Sequence, residues 1–134
     1  MSKKVVIAGS ASLPEKIDYW KRIWEDQGYL VTAYPRQLPV ETFFEEYPRV
    51  HTEFFKQITE ADILFVMNED KNGIKGYLGA ESFAEMGFGV ARDLLHKNHL
   101  KIVLLQVPDS SVQSYDEIML WLQLGWISLY AANR

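Results

Sequence analysis

Apolar residues in this chain fall into two kinds of stretch that alternate: short unbroken runs, and longer segments where they recur every three or four positions. Val5-Val6-Ile7-Ala8 is an unbroken run ending at Gly9-Ser10, and Ile63-Leu64-Phe65-Val66-Met67 is another, preceded by Ala61-Asp62. Residues 101–107, apolar except for Lys101 and Gln106, predict a further strand stopped by Pro108. A run apolar at every position predicts a strand covered on both faces, as in parallel sheets. Residues 29–34 are rich in β-formers and predict a further strand, and 126–130 a short last one. Between them, Pro14 opens a helix over 15–27, with Ile17, Trp20, Ile23 and Trp24 at helical spacing and Gly28 as its stop. Helices are also predicted over 50–60, from Ala80 to about Lys97, and over 114–124. Strand and helix alternation, with right-handed crossovers, predicts one α/β domain over residues 1–134. Its five-stranded, mainly parallel sheet has order 2-1-3-4-5 and helices on both faces. Ligands in such sheets sit beyond the carboxyl ends of the strands, here Gly9-Ser10, Asn68 to Asp70 and Pro108-Asp109.

Two polar stretches interrupt the pattern. Residues 35–49 carry prolines at 35, 39 and 48, which predict turns around a short helix and a lid or binding loop. Residues 68–79 are polar, with glycines at 73, 76 and 79 that permit unusual backbone angles. On the helix that follows, a 100° projection groups Glu81, Glu85, Arg92 and His96 as a polar face. Ala80, Phe83, Ala84, Gly87, Val90, Ala91 and Leu94 form the core-facing arc. Glu85 is the only charged residue from Ser82 to Ala91, and it lies in the second turn, where the helix dipole favours an ionised carboxylate. A carboxylate that attacks a sugar carbon needs that charge, because it meets an oxocarbenium-like centre. Glu81, in the first turn, is expected only to complement the dipole. At the first strand end, Ala8-Gly9-Ser10-Ala11-Ser12 lets a ligand approach the backbone and offers hydroxyls to phosphate or sugar, but neither GxGxxG nor a P-loop is present.

Composition narrows the chemistry. The 134 residues contain no cysteine, which excludes disulfides, thiolate metal sites and cysteine nucleophiles. Net charge is −4 and no Lys/Arg run exceeds two residues, so long nucleic acid and anionic membrane surfaces are not expected partners. The apolar run after Lys3-Lys4 is too short for a signal or a membrane span, and the expected location is cytoplasmic. His51, His96 and His99 show no metal-ligand spacing with carboxylates, and no serine sits in a GxSxG elbow, so neither a metal nor a cofactor is expected. Trp121, Trp126 and Tyr130 near the end of the chain are spare aromatics for an oligomer interface, and a homodimer or larger assembly is expected.

Ala61-Asp62 before a buried strand, the polar loop, and Gly79 to Ala91 reading GAESFAEMGFGVA resemble the nucleoside 2-deoxyribosyltransferase superfamily. The likeness spans nearly the whole chain and implies a flavodoxin-like, or Rossmann-like, fold. It also implies action on the N-glycosidic bond of a deoxynucleoside or its 5′-monophosphate, as transferase or hydrolase. Glu85 takes the place of the family's nucleophile, and Gly9 and Ser10 that of its first pocket-lining strand end. On this reading Asn68 or Asp70 orients sugar or base, Tyr77 stacks on the base or bonds the sugar, and Gly79 lines the pocket. Gly79 stands where those enzymes carry an aspartate. That keeps open a second expectation, a non-catalytic nucleotide-sensing domain that retains the pocket.

Overall fold

A computed structural model of the chain describes residues 2–97 and 99–131. Its strands are β1 (Lys4–Gly9), β2 (Leu30–Ala33), β3 (Ile63–Met67), β4 (Lys101–Leu104) and β5 (Ser128–Leu129). They form a sheet in the order β2-β1-β3-β4-β5, every pair parallel. Helices α1 (Pro14–Asp26), α2 (Phe43–Glu60), α3 (Ala80–His96) and α4 (Tyr115–Leu124) cover it, and one turn of 3-10 helix, Val40–Thr42, precedes α2. The parallel sheet expected from the alternation of elements is the one found, its order is consistent with a flavodoxin-like fold, and the unbroken apolar runs are its buried central strands.

Alternate residues of each strand serve opposite faces. Val5, Ile7, Ile63, Phe65 and Met67 pack against Ile17, Trp20 and Trp24 of α1. Val6, Ala8, Leu64 and Val66 pack on the other side against Ile58 of α2, Met86 and Val90 of α3, and Ile118 of α4. Tyr130 is not spare: its ring lies 5.1 Å from Trp20 and 5.7 Å from Phe65, inside the α1 cluster. Trp121 stacks on Phe83 at 5.4 Å, and Trp126 remains 40% exposed. Among the described residues no helix is long and apolar enough to cross a membrane.

Two expectations need correction. Helix α2 begins at Phe43, seven residues before the predicted start, and runs through Pro48. A proline there withholds one N–H from the carbonyl of Phe44. Phe44 is 90% exposed, which leaves water to serve that turn. The buried line of α3 is also displaced by roughly a third of a turn from the projected arc. Ser82, Glu85, Met86, Gly89 and Val90 face inward, whereas Ala84, Ala91 and Leu94 are exposed. The inward line takes in Ser82, Glu85 and Gly89, which hydrophobic periodicity assigns to solvent, so the apolar pattern chose the wrong face. Gly89 marks the true line of contact, since a Cβ there would stand 2.9 Å from Leu64 Cδ2 of β3.

Candidate active site

Strand order reverses between β1 and β3, and the carboxyl ends of these two strands open into a cleft of about 630 Å³. Gly9, Ser10 and Ala11 after β1 and Met67, Glu69 and Lys71 after β3 form one wall. The start of α3, from Gly79 to Ser82, closes the base, and Glu85 projects from its second turn. The opposite wall is the segment from Tyr34 to Val40 followed by Phe43, Tyr47, Val50, His51 and Phe54 of α2. Residues 35–49 therefore do line the cleft, as expected of a binding loop, although the helix they contain is longer than predicted.

Five of the seven residues expected at a site meet here: Gly9, Ser10, Tyr77, Gly79 and Glu85. Ser10 Oγ lies 2.8 Å from Ser12 Oγ and accepts a 2.9 Å hydrogen bond from Lys71 Nζ. The same ammonium stands 5.3 Å from the centre of the Tyr77 ring, a cation–π distance. These groups form a basic, hydrogen-bonding corner suited to phosphate or sugar oxygens. Glu69 is turned to α1, accepting from Trp20 Nε1 at 2.7 Å.

Asn68 and Asp70 are not on the cleft wall; they hold its loop in shape. Asn68 is 1% exposed and its amide is fully committed. Nδ2 donates to the carbonyls of Gly76 (3.2 Å) and Gln106 (2.9 Å), and Oδ1 accepts from the Gln106 N–H at 3.3 Å. Asp70 accepts from the Gly76 N–H and from Gln106 Nε2, both at 3.0 Å, and these bonds hold its carboxyl below the usual range. The bracket closes on Gly76, whose φ is +62° and whose Cβ, if it had one, would sit 2.8 Å from Pro108 Cα. Gly76→Ala is therefore expected to cost about 2–4 kcal/mol, read as a lowered urea midpoint. Gly73→Ala, with φ +75° but open space around it, should cost only about 1 kcal/mol.

The electrostatics of Glu85 differ from the expectation. It is 5% exposed and no described hydrogen bond reaches its carboxyl. Burial, and then the charge of Glu81, push its pKa from 4.5 up to about 8. A helix start favours the charged form by only about 0.3–1 kcal/mol. A rise of that size corresponds to about 4–5 kcal/mol at 1.36 kcal/mol per pH unit, so burial wins and the acid is neutral at pH 7.

Sequence spacing also missed what α2 brings to this carboxyl. Polar atoms of His51, Glu81 and Glu85 all lie within 4.8 Å of one another, and His51 Nδ1 is 3.5 Å from Glu81 Oε2. One imidazole and two carboxylates are also the only described donor set close enough to hold a divalent cation. The His51 ring is fixed by its neighbours on α2, stacked on Tyr47 at 4.8 Å and edge-on to Phe55 at 4.6 Å. Burial, then Glu81 and Glu85, raise the Tyr47 hydroxyl above its ordinary pKa. The one signal in the sequence was the i, i+4 aromatic series Tyr47, His51, Phe55, which marks a helix face turned to a partner. No family model and no curated protein matches this chain, so the geometry of the cleft carries the functional reading.

Proposed function

We propose that the chain acts on the N-glycosidic bond of a nucleoside or nucleoside 5′-monophosphate, with Glu85 as the group that attacks C1′. The observation that carries this is a single buried, unbonded carboxyl facing a cleft of about 630 Å³ at the strand switch point. A sugar beside Glu85 can direct its 5′ oxygens toward Ser10 and Lys71. The aromatic rings of Phe54 and Tyr77 line the cleft, where a base would pack. The resemblance to the deoxyribosyltransferases supports the same assignment. Attack at C1′ breaks the bond to the base and leaves a glycosyl ester on Glu85, which water (hydrolase) or a second base (transferase) resolves.

One observation favours the second reading, a domain that binds nucleotides without cleaving them: burial, and then Glu81, raise the Glu85 pKa to about 8, which favours the protonated carboxyl at pH 7. Incubation of the full chain with a panel of deoxynucleosides, ribonucleosides and their 5′-monophosphates, followed by chromatography, separates the two. Free base is the expected result. Saturable binding with no base from any member of the panel would establish the sensing role.

A further inference from the structure

Three side chains from two helices converge on one part of the cleft wall. Glu81 and Glu85 lie four residues apart on one face of α3, and His51 meets them from α2. One ring nitrogen and one oxygen of each carboxyl all lie within 4.8 Å of one another, and His51 Nδ1 is already 3.5 Å from Glu81 Oε2. Donors bound to a tetrahedral Zn²⁺ at about 2.0–2.2 Å stand roughly 3–3.5 Å apart. Rotation of the exposed Glu81 side chain covers most of that difference. Among the described residues no lysine or arginine pairs with either carboxylate. Glu85 points to a ligand on its own account. It is 5% exposed, it lines the cleft, and no described hydrogen bond reaches its carboxyl. A carboxyl so buried is costly to keep unless it is paired or coordinates a metal.

We propose that His51, Glu81 and Glu85 form a binding site for a divalent transition-metal cation of the Zn²⁺ class. The proposal goes beyond the glycosidic reading and does not rest on it. The imidazole decides the class of ion. Mg²⁺ and Ca²⁺ are hard cations that take shells of oxygen, whereas one imidazole with two carboxylates suits a borderline ion such as Zn²⁺. The two carboxylates match the charge of the dication. The His51 ring is held by its stack on Tyr47 at 4.8 Å and its edge contact with Phe55 at 4.6 Å, so ligation need not order it. Three protein ligands leave a tetrahedral ion one open position. All three line the cleft, so water or an anionic oxygen can reach that position from the cleft. Neither helix carries the whole set, which is why spacing along the chain gives no sign of it. A cation here also opposes the chemistry proposed above. It engages the Glu85 carboxylate and repels the positive charge that develops on the sugar carbon.

The test is calorimetric titration of Zn²⁺ into the full chain after treatment with EDTA and dialysis, with Mg²⁺ and Ca²⁺ titrated in parallel. One equivalent of Zn²⁺ should bind saturably, at least about 100-fold more tightly than Mg²⁺ or Ca²⁺. Glu85→Gln, His51→Phe and Glu81→Gln should each weaken Zn²⁺ binding by at least about 10- to 100-fold, the loss that even an outer-shell partner causes. The phenylalanine keeps the aromatic stack. Glu81→Gln changes a side chain that is 61% exposed, and it serves if the other two do not fold. His96→Gln removes an exposed imidazole at the other end of α3 and should leave the affinity unchanged. A wild type that does not bind Zn²⁺, or an affinity that none of the three ligand variants alters, overturns the site. Mg²⁺ or Ca²⁺ binding as tightly as Zn²⁺ overturns the class of ion. Base release is the separate readout for the glycosidic reading, and saturating Zn²⁺ should abolish it. Absence of base release from the metal-free protein with every substrate defeats that reading alone, because the titrations need no substrate.

Discussion

Glu85→Gln is expected to yield a protein that is more stable at neutral pH and inactive in base release. The stability gain follows from linkage. The folded carboxyl titrates at about 8 and its ordinary value is 4.5, so between these two pH values the folded state holds a proton that the unfolded state has released. Stability therefore falls as pH rises through that window, and the wild type at pH 7 has already lost most of what it will lose. A glutamine of nearly the same shape has no charge to desolvate and no such slope. Allowing for an amide that finds few partners in the cleft, the variant should gain roughly 1–3 kcal/mol at pH 7 and nothing at pH 4. Urea unfolding at the two pH values measures this. Activity should drop by about three orders of magnitude or more, since a nucleophile has no substitute. A glutamine variant that releases base at the wild-type rate removes Glu85 from the chemistry. One that is less stable at pH 7 shows that the carboxyl is not penalised by its surroundings.

Asn68→Leu should have the opposite signature. Leucine fills similar space but leaves the carbonyls of Gly76 and Gln106 and the N–H of Gln106 without the partners they have now. Each buried group so abandoned costs about 1–3 kcal/mol, and the expected loss is about 3–5 kcal/mol after partial relaxation. Against a total stability of about 5–15 kcal/mol for an ordinary domain, that is a large shift in the urea midpoint. Activity should fall only as far as the loop carrying Lys71 and Tyr77 loosens. If instead the variant unfolds like the wild type and loses activity, Asn68 touches substrate after all, as the sequence pattern alone suggests.

Strands β1 and β3 could be read without a structure because the buried residues, Val5 to Ala8 and Ile63 to Met67, are all apolar and burial on both faces leaves no other choice. Helix α2 was read short because a proline usually ends a helix. Here the turn it disturbs carries the exposed Phe44 and tolerates the missing bond. The face of α3 was misread because its buried line includes Ser82, Glu85 and Gly89, polar or small residues that an apolar count assigns to solvent, so tertiary contact rather than amphipathicity sets its rotation. Glu85 was legible as an isolated charge in an apolar stretch. Its neutrality was not, since desolvation depends on what the fold lays over it. His51 was invisible as a partner because it and Glu81 are distant in the chain and meet only when α2 lies beside α3.

The two sides of the cleft differ in how firmly they are built. One is anchored in β1 and β3, whose interior residues are fully buried, and braced by the Asn68 bracket. The other hangs on α2, which buries only Ile58 completely and leaves Phe43 and Phe44 on the surface. The cleft thus resembles a vise with one fixed jaw and one sliding jaw. No strand pairing holds α2; Ile58, Phe54 and Phe55 fasten its second half to the core, and its first half rests on aromatic contacts. The sliding jaw is also the one that carries His51. A shift of α2 therefore changes the width of the cleft and the distance from His51 to Glu85 together.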